Sequence, residues 1–79
     1  MFYGADYRDA YSFVGVIKNV KLGNSMLAAE VYEDETRKGR YAAFAVYYNL
    51  ETGAEDARLL CVADSYGEAA ESAKGAFSL

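Results

Sequence analysis

The middle of the chain, residues 41–50, is the segment that most constrains the fold. A strand with one face in water alternates apolar and polar residues, whereas both alternating sets of this segment are mainly apolar. One set is Ala42, Phe44, Val46, Tyr48 and Leu50, and the other begins with Tyr41, Ala43, Ala45 and Tyr47. A small antiparallel sheet that is apolar on both sides must bury the second side as well as the first. The sequence therefore predicts that a partner protein, a second copy or the chain's own N-terminal segment covers that second side.

Size and composition predict one folded domain, residues 1–79, with no cofactor and no metal ion. A chain of 79 residues leaves no room for a second core, and its 53% hydrophobic content indicates a folded protein. Cys61 is the only cysteine and histidine is absent, which excludes an internal disulfide and a histidine-containing metal site. A calcium or magnesium site built from carboxylates alone stays open as an alternative, but no EF-hand spacing occurs. The lone cysteine and the lack of a signal peptide or a long apolar run predict a cytoplasmic protein.

Strand patterns predict an antiparallel meander over residues 12–63. Strands are expected at 12–22, 26–33, 40–50 and 57–63, separated by connections that contain glycine. Gly23 and Asn24 both accept a positive φ, which favours a two-residue hairpin turn after the first strand. Residues 1–10 are compatible with either a short helical turn or an irregular arm.

A single C-terminal helix, residues 65–77, completes a predicted α+β fold with three to four strands. Ser65 and Glu68 have the spacing of a capping box. A stripe of small and apolar residues follows at helical spacing: Ala69, Ala70, Ala73, Ala76 and Phe77. We expect this helix to pack on the side of the sheet that carries Phe44. The side left over would be Phe13, Ile17, Met26, Tyr32, Tyr41, Tyr47, Leu60 and Val62, although a one-residue bulge would exchange the two sides.

The residue types predict that the protein is not an enzyme. Without histidine a Ser-His-Asp triad is impossible, and Cys61 has no imidazole to activate it, so a buried structural cysteine is expected. No glycine-rich phosphate-binding motif occurs. The net charge is −4, and the eight Lys and Arg residues are scattered. These charges argue against nucleic-acid binding and suit docking onto a basic protein surface.

Tyrosines and clustered carboxylates are the candidate partner-binding residues. The chain has eight tyrosines, a residue that recurs in protein-binding hot spots but is also an ordinary strand residue. Carboxylates gather at the end of the second strand, where they either are simply solvated or imitate the phosphates of DNA. The predicted partner-binding set is Glu30, Tyr32, Glu33, Asp34, Glu35, Tyr41 and Tyr47.

In size, charge and predicted architecture, the whole chain resembles the small phage-encoded anti-CRISPR proteins. That resemblance implies an inhibitor that binds a type I CRISPR surveillance complex, Cascade, and blocks recruitment of target DNA in the host cytoplasm. Residues 64–77, with the Ser65 cap and the pair Glu68 and Ala69, also resemble the strand-to-helix ending of HicB-type antitoxin domains. The second resemblance implies a subunit that neutralises a toxin. A small homodimeric phage accessory protein is the third alternative.

Overall fold

The computed structural model describes residues 10–76, which form a four-stranded antiparallel sheet and one helix. The elements are β1 (Tyr11–Leu22), β2 (Ser25–Asp34), β3 (Tyr41–Asn49), β4 (Glu55–Ala63) and α1 (Tyr66–Gly75). The sheet order is β1-β2-β3-β4, so each strand pairs with its neighbour in sequence. The predicted α+β meander with a C-terminal helix is confirmed. The prediction of a helical turn or an irregular arm covered residues 1–10. All of these residues except Ala10 lie outside the described part of the chain.

A short turn between two strands makes them neighbours in the sheet, and the turn between β1 and β2 is the shortest kind. Leu22 pairs with Ser25, so Gly23 and Asn24 alone form the first turn, and Gly23 has the positive φ of 61° that the turn requires. The predicted two-residue hairpin is therefore confirmed. Within residues 10–76, no helix has the length and apolar character needed to cross a bilayer.

Three register shifts interrupt the strand pairing and decide which side chains share a face. Two lie in β1, between Phe13 and Gly15 and between Val16 and Lys18. The third lies in β4, where Cys61 is opposite Ala43 but Leu59 is opposite Phe44. A bulge of this kind adds one residue to a strand and reverses its alternation beyond that point.

The helix packs on the face of the sheet that carries Tyr41, contrary to the prediction. Ser65 caps it, since the Ser65 hydroxyl accepts a hydrogen bond from the Glu68 amide at 3.2 Å. The buried cluster between the helix and the sheet consists of Ala29, Val31, Ala43, Ala69 and Ala73. Only Asp64 and Ser65 separate β4 from the helix, so the chain turns directly back over the face to which Cys61 and Ala63 contribute.

Among the described residues, the opposite face holds the largest fully buried side chain, Phe44, in a second cluster with Tyr32, Ala42, Val46 and Ala57. Tyr32 lies directly across from Ala42, so it shares a face with Phe44 and not with Tyr41 or Tyr47. The sequence-based grouping of the three tyrosines on one face was therefore wrong. Alternation within a strand does not fix the register between strands, and that register decides which residues meet. Both faces of the sheet are buried, as the apolar pattern of β3 requires.

Candidate protein-binding surface

Glu30 lies in the interior of the second face, where it joins two tyrosines. Glu30 is only 3% exposed. The Tyr32 hydroxyl donates to Glu30 Oε1 at 2.7 Å, and the Tyr48 hydroxyl donates to Glu30 Oε2 at 2.6 Å. Hydrogen bonds to an ionised acceptor are short and strong, and a buried carboxylate needs them. Glu30 and Tyr32 are therefore interior residues in this structure, and their contact with a partner stays a prediction.

Tyr48 is affected by the same carboxylate. Partial burial of the phenol raises its pKa well above the ordinary range, and the hydrogen bond and negative charge of Glu30 raise it further. The proton therefore stays on the Tyr48 oxygen and remains available for the hydrogen bond to Glu30. This pair and Tyr32 form a polar centre inside an otherwise apolar cluster.

Tyr41 and Tyr47 lie on the helix face but in different surroundings. Tyr41 is half-buried and packs edge-to-face against Tyr66 at the start of α1, with ring centroids 6.0 Å apart. Tyr47 is exposed, and its hydroxyl lies 2.8 Å from the Ser25 hydroxyl. Tyr47 also borders a groove of about 260 Å³ at the end of the sheet that α1 leaves uncovered. Of the predicted tyrosines, Tyr47 is the one that offers most of its ring to a partner.

The acidic loop after β2 contains one carboxylate that is occupied by its own turn. Asp34 Oδ1 accepts hydrogen bonds from the Thr36 amide and the Thr36 hydroxyl, both at 2.8 Å. These bonds hold the pKa of Asp34 below its usual value, with a smaller contribution from the charge of Arg37. Asp34 therefore shapes the loop, which fits the preference of aspartate for such turns.

Basic residues balance the acidic ones in this loop. Glu33 and Asp34 end β2 and Glu35 begins the loop, and after Thr36 come Arg37, Lys38 and Arg40. Arg40 extends toward Asp64, with 3.4 Å between Nη1 and Oδ1. An imitation of DNA needs a run of negative charge with few cations nearby. The loop as a whole does not present such a run, although Glu35 is exposed and faces the start of β1.

Exposed apolar side chains follow β1 along one edge of the sheet, and of these only Phe13 belongs to the side that the sequence predicted to be left over. We call this edge the β1 patch, and it consists of Phe13, Val14, Val16, Val20 and Leu22. Phe13 and Val16 belong to the Phe44 face, Val20 and Leu22 belong to the helix face, and Val14 is the extra residue of the first bulge, so the patch runs along the edge of the sheet. Phe13 and Leu22 are 58% and 56% exposed, although each is a large apolar residue. In an open meander the first strand lies at an edge of the sheet. The predicted strand order was therefore the sequence signal from which the β1 patch could have been identified.

Carboxylates border one end of the β1 patch. Ser12 lies across from Glu33, and the Ser12 hydroxyl donates to Glu35 Oε2 at 2.7 Å. Phe13 follows directly and packs edge-to-face on Tyr32, with ring centroids 5.6 Å apart. The patch thus combines apolar side chains with negative charge at one end, which is the composition of a protein-binding surface with a polar rim.

The residues described by the structure contain no group of three acidic or sulfur side chains placed to bind a metal ion. Cys61 is half-buried against the helix-side cluster, in keeping with a packing role. Comparison of the chain with protein-family models, with curated proteins and with solved structures found no match.

Proposed function

We propose that this protein is a non-enzymatic inhibitor that binds a type I CRISPR surveillance complex through the β1 patch and thereby blocks recruitment of target DNA. The observation that carries the binding role is the exposure of five apolar side chains along one edge strand. Exposed apolar residues that lie together and have a polar rim commonly mark a protein-binding site. The choice of partner rests on the resemblance in size, acidity and architecture to anti-CRISPR proteins.

The two ends of β1 suit different contacts with such a partner. From Lys18 to Leu22 the strand pairs with β2 without a register shift, so Val20 and Leu22 are held in a regular geometry for side-chain contact with a partner. Phe13 lies beyond both bulges and Val16 lies between them, and both offer side chains for a pocket. An edge contact of this kind needs no catalytic group on either side.

Glu33 and Glu35 would contribute electrostatic attraction at the Phe13 end. Surveillance complexes recruit DNA and must present basic surfaces to it. Opposite charges across an interface speed association and set the orientation of the partner. Because Arg37, Lys38 and Arg40 follow in the same loop, this attraction is local and guides a contact rather than imitating a stretch of DNA. The cytoplasm of the host is the compartment in which this partner would be met.

An infection assay tests the proposal in cells. Host strains that carry an active type I CRISPR system against a phage are made to express the wild-type protein, Val16→Asp or Val62→Asp. Val16 and Val62 are 47% and 40% exposed, but they lie on opposite edges of the sheet. We expect the wild type and Val62→Asp to restore plaques and Val16→Asp to fail. No restoration by the wild type in any type I strain would reject the proposed partner, and full restoration by Val16→Asp would reject the β1 patch.

The contribution of the acidic rim has a separate test. Glu33→Lys combined with Glu35→Lys should slow association with the complex and make binding less sensitive to salt. A control with the same change of net charge combines Glu51→Lys with Glu55→Lys, both exposed at the other end of the sheet. If the double variant and the control have the same association rate, the carboxylates beside Phe13 play no part in binding.

A further inference from the structure

We propose that two copies of this chain associate through the outer edge of β4, with residues 55–59 of the two strands antiparallel and Asp56 of each copy facing Arg58 of the other. This dimer contact uses the edge of the sheet opposite the β1 patch. It therefore stands apart from the proposed inhibitory function.

The outer edge of β4 is regular only over residues 55–59. In the part of the chain that the structure describes, β4 pairs with β3 on one side and with no strand on the other. Its pairing with β3 runs without a shift from Glu55, opposite Tyr48, to Leu59, opposite Phe44. Leu60 is then the extra residue of the bulge. Beyond the bulge, helix residues Gly67, Glu68 and Glu71 border the edge next to Val62, so a second strand would meet the helix there.

Charge order within this short stretch selects one register for a symmetric pair. Ala57 is at its centre, and the exposed residues Asp56 and Arg58 flank it on one face. A twofold axis through Ala57 places Asp56 opposite Arg58 twice, because a symmetric contact repeats every interaction. An axis moved by one residue would place Asp56 opposite Asp56 or Arg58 opposite Arg58. Opposite charges across antiparallel strands are favourable and like charges are unfavourable, so only the register centred on Ala57 is favoured.

Neither of these two charges is used within the described part of the chain. The salt bridges found among residues 10–76 join Arg40 to Asp64 and Lys74 to Glu71, and Asp56 and Arg58 take part in neither. Both side chains lie beside the uncovered groove that Leu27, Ala45 and Tyr47 also line. Pairing of the two β4 edges would satisfy both charges and extend this groove across the dimer.

The other edge of the sheet is less suited to self-association. β1 carries two bulges, which disturb the regular spacing of its backbone groups. Lys18 and Lys21 lie in its regular half, so a symmetric ribbon of two β1 strands would add like charges along the shared edge. Lysine on an edge strand is a common protection against edge-to-edge pairing.

Exchange of the two charges tests the register. Sedimentation equilibrium would measure the dissociation constant of the wild-type dimer, Asp56→Arg, Arg58→Asp, an equal mixture of these two single variants, and the double variant Asp56→Arg with Arg58→Asp. We expect each single variant alone to dimerise at least about tenfold more weakly, since both reciprocal contacts become like-charged. In the mixture and in the double variant every contact is again between opposite charges, so both should recover an affinity near that of the wild type.

Circular dichroism and urea unfolding of each variant confirm that the exposed substitutions leave the fold intact. Val16→Asp should leave self-association unchanged, because it lies on the other edge. A wild-type protein that stays monomeric at millimolar concentration would overturn the proposal. So would a dimer whose affinity is the same in the single variants, or a mixture that associates no better than either variant alone.

Discussion

Replacement of Glu30 by alanine is expected to lower the free energy of unfolding by about 2–6 kcal/mol. The Glu30 carboxylate accepts hydrogen bonds from the Tyr32 and Tyr48 hydroxyls at 2.7 and 2.6 Å, and the residue is 3% exposed. Alanine would leave both hydroxyls without this acceptor, and each buried polar group left unsatisfied costs about 1–3 kcal/mol. Tyr48 is half-buried and would regain part of that loss from water. A domain of this size has roughly 4–12 kcal/mol in total, so the variant approaches the limit of stability.

Two further variants separate the hydrogen bonds from the volume of the side chain. Glu30→Gln keeps the shape and one acceptor oxygen, so we expect a loss of only about 1–2 kcal/mol. A triple variant, Glu30→Met with Tyr32→Phe and Tyr48→Phe, removes the acceptor and both donors together. Replacement of all polar partners by apolar groups of similar shape is close to neutral, so this variant should be more stable than Glu30→Ala.

Urea unfolding followed by circular dichroism measures these differences. The order of stability expected is wild type, then Glu30→Gln, then Glu30→Ala, with the triple variant above Glu30→Ala. A Glu30→Ala protein within about 0.5 kcal/mol of the wild type, the range of an ordinary surface substitution, would refute the structural role given to this carboxylate. A triple variant no more stable than Glu30→Ala would show that side-chain volume, rather than the hydroxyls, causes the loss.

Three other perturbations follow from the fold. Ser65→Ala removes the acceptor for the Glu68 amide and should cost about 1 kcal/mol in a urea melt, whereas overlapping melts would show that the cap is not needed. Phe44→Ala empties the centre of the second cluster and should cost about 3–5 kcal/mol, and an unchanged midpoint would contradict the burial of Phe44. Above the ordinary tyrosine pKa of 10.0 the unfolded state loses the Tyr48 proton while the folded state keeps it, so stability should fall as pH rises. Tyr48→Phe should make that alkaline loss shallower, and equal slopes in unfolding curves from about pH 9 to 11 would contradict the raised pKa.

The elements of this fold could be predicted from the sequence because each has a local signal. Alternation gave the strands, Gly23 with Asn24 gave the first turn, and Ser65 marked the start of the helix. The side of the sheet that the helix covers could not be predicted. It depends on the bulge at Leu60 and on the register of β2 against β3, and both arise from packing between distant segments.

The candidate surface was predicted only in part, for a related reason. Glu30 interrupts an otherwise apolar strand, and a charge in that position is either exposed or paired inside. Only the three-dimensional arrangement shows that Tyr48 of the next strand reaches it. The hydrogen bond from Ser12, the neighbour of Phe13, to Glu35 likewise depends on pairing between β1 and β2. The sequence therefore supplied residue types suited to binding, and the structure shows which of them share a surface.

The affinity of the purified protein for a purified type I surveillance complex is the most direct test of the central claim. Calorimetry would compare the wild type with Val16→Asp and with the matched control Val62→Asp, whose side chain is similarly exposed on the other edge. We expect the wild type and the control to bind with similar affinity, and Val16→Asp to bind at least about tenfold more weakly because a charge would be buried at the contact. Absence of binding by the wild type, or equal binding by the two variants, would contradict the account.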